Sequence, residues 1–145
     1  MEKLMVSKVG QGKPHFHEYW LKNDDGTMEI AAWALLMYYM DITADIMFIY
    51  TFPKYRRKGY AKELINLIKP CALALSTYDT DSTEEGRATC MEAGLLPEER
   101  GGVKVLTWRS EEDPELVKSR FMNMMITLYD ATHPQTEVVD GKATK

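Results

Sequence analysis

Ala44 to Pro70 reads A-D-I-M-F-I-Y-T-F-P-K-Y-R-R-K-G-Y-A-K-E-L-I-N-L-I-K-P, and this stretch decides the fold. Its apolar run, Ile46 to Phe52, predicts a buried strand, and Ala61, Leu64, Ile65 and Ile68 recur at helical spacing up to Lys69. Between them lies a basic turn, Lys54-Tyr55-Arg56-Arg57-Lys58-Gly59. A strand feeding such a turn directly into a helix builds an anion site. Free N–H groups at the helix start point at the ligand, and the helix dipole favours negative charge. Gly59 has no Cβ, so the backbone there can approach a ligand closely. The segment predicts a phosphate cradle. It is not a Walker-type nucleotide loop, because G-x-x-x-x-G-K-S/T is absent.

The rest of the composition narrows the class. A chain of 145 residues with 45% hydrophobic and 28% charged content suits a single soluble domain. The net charge of −4, from 18 basic and 22 acidic residues, disfavours non-specific nucleic-acid binding and suits a cationic acceptor such as an amine. Against that background the Lys54, Arg56, Arg57, Lys58 cluster is a local exception. No signal-like apolar region opens the sequence, and no run approaches the roughly 20 apolar residues of a membrane span, so a cytoplasmic protein is expected. Cys71 and Cys90 then read as reduced thiols rather than a disulfide scaffold. His15 and His17 would share one strand face, but two ligands are too few for a zinc site, and a surface or packing role is expected, with no metal.

Along the chain, strands are expected near Leu4 to Val9, over His15 to Lys22 and over Met28 to Met40, the last bent near Ala34. Pro70 ends the helix that follows the basic turn, and Cys71 to Ser76 reads as a buried strand parallel to the one before it. Ser82 or Thr83 caps a helix reaching about Ala93, with Gly94 as its C-terminal stop. Leu95 to Glu99 and Val103 to Arg109 form a hairpin around Arg100-Gly101-Gly102. Glu111 to Tyr129 is a last helix, and residues 133–145 form a polar tail after a single domain spanning 1–132.

The turn Arg56-Arg57-Lys58-Gly59-Tyr60-Ala61, with Pro53 and Tyr55 in the lead-in, resembles the R/Q-x-x-G-x-G/A signature of the GNAT superfamily of acetyl-CoA-dependent N-acetyltransferases. The element order also resembles that family, over roughly Glu18 to Arg109. The resemblance implies an α/β fold: a GNAT-like mixed central sheet with a strand-turn-helix acetyl-CoA cradle, here followed by a C-terminal helix. It implies a short member, because the residues before Glu18 leave no room for the family's two front helices, which help to shape the acceptor pocket. The C-terminal helix is expected to fill that space.

By resemblance, acetyl-CoA is the co-substrate. The backbone of Ile49, Tyr50 and Thr51 would hold the pantetheine and acetyl group, a bulge there freeing an oxyanion donor. Arg56, Arg57, Lys58, Gly59, Tyr60 and Ala61 would hold the pyrophosphate. Asp45 in Asp45-Ile46-Met47-Phe48 is similar to the general-base glutamate of E-I-V-F in the histone-type branch, one methylene shorter. The family's Y-x-x-x-G-F segment is here Cys90-Met91-Glu92-Ala93-Gly94-Leu95, which makes Cys90 a candidate for the tyrosine's acid role, with packing as the alternative. Thr83 stands where an asparagine is expected near the cofactor. The apolar arc of the last helix, from Leu116 to Tyr129, is wider than one core stripe and suggests a homodimer contact or acceptor surface. Two functions follow: transfer of acetyl to a primary amine, on a small molecule or a protein, or a catalytically inactive acyl-CoA-binding or interaction module on the same fold.

Overall fold

The computed structural model describes residues 2–9, 14–79 and 83–132. Four strands, β1 (Glu2–Val9), β2 (His15–Lys22), β3 (Met28–Tyr38) and β4 (Thr43–Thr51), form an antiparallel meander. Helix α1 (Tyr60–Ile68) then crosses to β5 (Ala74–Tyr78), which runs parallel to β4. Helix α2 (Glu84–Glu92) leads to the hairpin of β6 (Leu96–Arg100) and β7 (Val103–Arg109), and α3 (Pro114–Thr132) follows. The sheet order is β1-β2-β3-β4-β5-β7-β6. Among the described residues the sole parallel pair, β4 with β5, is the one joined through a helix, as a parallel crossover requires.

Alternation decides which side of the sheet carries the core. His15, His17, Tyr19 and Leu21 of β2 are buried, and the residues between them are only partly so. Tyr19 packs on Tyr60 of α1, and His15 packs on Phe121 of α3. Cys90 and Ala93, at the end of α2, join Leu64, Ile65, Leu75 and Leu106 in the same core cluster. All three helices therefore cover one face. The C-terminal helix does not take the place of a cover on the other side; it packs against β1 and the 3-10 turn Lys69–Cys71, with Arg120 Nη1 donating to the Pro70 carbonyl at 3.3 Å.

The opposite face has no helix over it among the described residues. Directly opposed residues of an antiparallel pair share a face, and the register places Trp20 with Ile30, Phe16 with Leu35 and Leu35 with Phe48. Trp33 pairs with Tyr50. This explains one departure from expectation. Ile46 to Phe52 is not a buried strand: Ile46 is in the core, but Phe48 is 63% exposed and Met47 and Tyr50 are exposed too.

Other departures are local. β5 begins at Ala74 rather than Cys71, because Lys69–Cys71 forms a 3-10 turn around Pro70, which has no N–H to give a ladder. β3 is irregular at Ala31, the extra residue between pairs Tyr19–Ala32 and Trp20–Ile30, instead of at Ala34. Ser82 and residues 133–145 lie outside the described residues.

Candidate functional site

The basic turn has the geometry of an anion cradle. Gly59 is the N-cap of α1 with φ +79°, and Arg57 two residues earlier also has φ +65°. Left-handed residues at alternate positions turn successive N–H groups to one side, the concave arrangement that binds anions. A Cβ built on Gly59 would meet nothing within 4 Å, so that side is open to a ligand. The turn is tied down from below. Lys54 Nζ donates to Glu29 Oε1 at 2.9 Å and the Tyr55 hydroxyl donates to the same oxygen. The Tyr55 and Lys54 hydrogen bonds hold the Glu29 carboxyl down to about 2.

This anchoring sorts the cations. Lys54 is engaged with Glu29, and Arg56 folds back so that Nε donates to the Thr51 carbonyl at 3.1 Å, over the Tyr50 ring. Arg57 lines the cleft, and Lys58 is exposed beside it. The cleft runs along the helix-covered face between β4, α1 and α2, lined by Ile49, Tyr50, Thr51, Arg56, Ala61 and Thr83 among others. It continues past Gly59 and Tyr60 toward Glu92. Nine of the ten residues expected to hold the cofactor thus line one groove; exposed Lys58 does not. Thr83 has a further duty, because its hydroxyl caps α2 by accepting from Gly86 N–H at 3.0 Å.

β4 and β5 part company near the middle of the sheet. Their ladder covers only Thr43–Ala74, Ala44–Leu75 and Asp45–Ser76. Just beyond, Met47 is the extra residue between pairs Leu35–Phe48 and Leu36–Ile46. The bulge falls there rather than at Ile49 to Thr51. From Met47 onward the β5 side of β4 has no strand beside it among the described residues, and the alternate N–H groups that face away from β3 point to that side.

Asp45 sits where the ladder ends, and it faces the bare side of the sheet. It lines a small pocket with Ser76, Tyr78, Arg100, Val103 and Val105. Tyr39 donates to Asp45 Oδ2 at 2.6 Å, a bond that pushes the phenol up to about 12. Arg100 Nη2 reaches Ser76 Oγ at 3.3 Å and Thr107 Oγ1 at 3.1 Å across the pocket floor. The turn between Tyr39 and Asp45 is costly. Ile42 holds φ +65°, unusual for a β-branched residue. The Ile42 N–H bonds to the Tyr39 carbonyl, and its own carbonyl accepts from Leu73 at 2.9 Å.

Cys90 is not in either place. It is 3% exposed, packed in the core, and burial pushes its thiol up to about 11. The lining of the cleft from α2 comes instead from Glu85, Gly86 and Thr89, one turn away. Sequence reasoning missed these residues, and it missed Tyr39 and Glu29. Tyr39 could have been found from the hairpin, since Met37 opposes Asp45 and Tyr39 is the diagonal neighbour. Glu29 accepts from Asn23 across the β2–β3 turn, but the two partners that tie it to the basic turn lie 25 and 26 residues away, beyond any local signal. No group of three or more His, Cys, Asp or Glu side chains is placed for a metal among the described residues.

Residues 7–77 match the model of the acetyltransferase (GNAT) family. The chain belongs to the GNAT superfamily. Its fold is shared with an acetyltransferase from Bacillus subtilis determined in complex with CoA, at 14% identity, TM-score 0.52, 69% of this chain and 79% of that one. It is also shared with a proposed ribosomal-protein-serine acetyltransferase from Vibrio cholerae, at 13% identity, TM-score 0.52, 69% of this chain and 66% of that one. No curated protein matches the sequence significantly. Within the GNAT frame only residues 10–14 separate β1 from β2. Among the described residues no helix is long and apolar enough to cross a membrane.

Proposed function

We propose that this GNAT protein is an acetyl-CoA-dependent N-acetyltransferase acting on a primary amine. One observation carries the reading: the β4–β5 ladder stops at Asp45, so β4 leaves β5 between the carboxylate pocket on the bare side and the groove along Ile49 to Thr51 on the helix side. Acetyl-CoA, when bound, supplies the activated acetyl group as a thioester. The fit of this chain to it rests on the open side of Gly59, the left-handed Arg57 and Gly59, and the N-terminus of α1, which suit a pyrophosphate. The open side of β4 from Met47 to Thr51 offers N–H groups to the pantetheine amides and to the thioester oxygen.

Asp45 is the proposed base. An amine entering from the bare face meets its carboxylate first, and the carboxylate takes the ammonium proton before attack. Tyr39 holds one of its oxygens, leaving the other for the amine. Tyr78, exposed at the end of β5 in the same pocket, is the hydroxyl best placed to return a proton to the departing thiolate, in place of buried Cys90.

The test is thiol release from acetyl-CoA in the presence of a panel of amines, with acetylated product identified by mass spectrometry. Amine-dependent release is expected. CoA binding without release for any amine would favour the second reading, an inactive acyl-CoA-binding module, to which the burial of Cys90 lends support.

A further inference from the structure

Asp45, Ser76 and Thr107 stand side by side across β4, β5 and β7, so their side chains share the helix-free face. Ser76 and Thr107 are buried, with their hydroxyls 3.1 Å apart. Buried hydroxyls need their hydrogen bonds met. Arg100 meets them, its Nη2 donating to Ser76 Oγ at 3.3 Å and to Thr107 Oγ1 at 3.1 Å.

Among the described residues all the hydrogen bonds of Arg100 leave through that one nitrogen, the last being a 3.5 Å contact to Glu98 Oε2. Glu98 already has its counter-charge. Arg109 holds both of its oxygens, at 2.8 and 2.9 Å, and these bonds keep its carboxyl below the ordinary range. The Arg100 guanidinium is therefore fixed in place without being balanced, and Nε and Nη1 can still donate. Asp45 lines the same pocket, bonded to Tyr39 and not to Arg100.

A pocket of about 130 Å³ thus has a carboxylate on one wall and a guanidinium on the other. That is well under the roughly 300 Å³ of a drug-sized site, so it takes a small head group. Ser76 is the ladder neighbour of Asp45, about 4.8 Å away, and the guanidinium rests on Ser76. The two charges lie about one strand spacing apart.

We infer that this pocket selects an amine that carries its own carboxylate one or two carbons from the nitrogen, a free α- or β-amino acid, and that Arg100 is the residue that recognises the carboxylate. The ammonium meets the Asp45 oxygen that Tyr39 leaves free, and the carboxylate accepts from Arg100. A plain alkylamine leaves the guanidinium unanswered, and a polyamine sets a second cation against it. That the bound amine is an acceptor rests on the acetyltransferase reading above; the matching of charges does not.

Ligand-observed NMR titrations of the full chain, with CoA present, compare alanine and β-alanine with their primary amides. The amides keep the amine and the size but lose the negative charge. Each amino acid should bind roughly tenfold or more tightly than its amide, the scale of one hydrogen bond to a charged group. Arg100→Gln should erase that preference by weakening the amino acids and leaving the amides little changed. The Arg100 side chain is half exposed, so the variant should keep the wild-type circular dichroism. Lys104→Gln removes a cation from the other face of β7 and should leave the preference intact. Equal affinity for acid and amide in the wild type overturns the inference. So does a preference that survives Arg100→Gln or is lost in Lys104→Gln, and so does a loss in Arg100→Gln that the amides share equally. Failure of the acetyltransferase reading looks different: no amine releases thiol from acetyl-CoA, while the binding preference remains. Acetyl transfer that ignores the carboxylate would keep that reading and sink this one.

Discussion

The Tyr39 hydroxyl donates a 2.6 Å hydrogen bond to Asp45, joining the two ends of the turn between β3 and β4. The bond is bought with strain at Ile42, whose positive φ lets the chain reverse tightly enough for the two side chains to meet. The phenol, raised to about 12, remains a donor throughout any physiological range.

If Asp45 is the base, Asp45→Asn should lower kcat by about 10²–10⁴-fold and leave acetyl-CoA affinity unchanged. Tyr39→Phe removes only the orienting bond. A loss of roughly tenfold in kcat is expected, the scale of one hydrogen bond to a charged group at about 1.5 kcal/mol. Steady-state rates over a pH series, with CoA affinity by calorimetry, check both. Wild-type turnover in Asp45→Asn would remove the aspartate from the mechanism.

The cradle prediction turns on Gly59. Its φ of +79° penalises any side chain, so Gly59→Ala should cost about 1–2 kcal/mol of unfolding free energy in urea. The new methyl would point into open space on the protein side. Gly59→Glu adds a carboxylate in the same direction, against the pyrophosphate, and should abolish CoA binding while unfolding much like the alanine variant. A folded Gly59→Glu protein with wild-type CoA affinity would refute the cradle.

Cys90 tests packing against chemistry. Cys90→Ala should leave turnover within a few-fold of wild type and cost roughly 1–2 kcal/mol through the cavity it opens. Thiol titration of the native protein should label half-buried Cys71 well before Cys90, whose thiol is both inaccessible and raised to about 11. A hundredfold loss of turnover in folded Cys90→Ala would return the thiol to the acid role.

Most of the fold was legible because its signals are local. The apolar spacing from Ala61 to Ile68 and the Gly101-Gly102 turn, with φ of +57° and +83°, stand where they were expected. So does the basic turn leading into α1. What the sequence hid is two-sided. Met47 to Thr51 is apolar enough to read as buried, yet a strand whose neighbour splays away and whose outer face lacks a helix exposes the same residues. Periodicity reports that a residue is apolar, not whether anything lies over it. Cys90 illustrates the converse, since its motif position made it a candidate acid beside the packing reading, and its helix turns it into the core.

The last prediction concerns the two buried histidines under α3. His15 stacks near Tyr38 and Phe121, and its ring lies 6.3 Å from that of His17, which is fully buried. Burial lowers both, His17 to about 4, with the charge of His15 pushing in the same direction. A histidine whose folded pKa lies below its unfolded value of 6.5 binds its proton more readily in the unfolded chain. Stability from such a group is present above about pH 6.5 and is lost as pH falls toward 4. The slope should approach about 1.4 kcal/mol per pH unit for each histidine that titrates only on unfolding. Urea unfolding followed between these limits should therefore show the midpoint falling with acid. His17→Leu should flatten that dependence, since its proton is then no longer taken up on unfolding. A pH-independent midpoint in the wild type, or an unchanged slope in a folded His17→Leu protein, would mean that His17 is not held neutral by its burial.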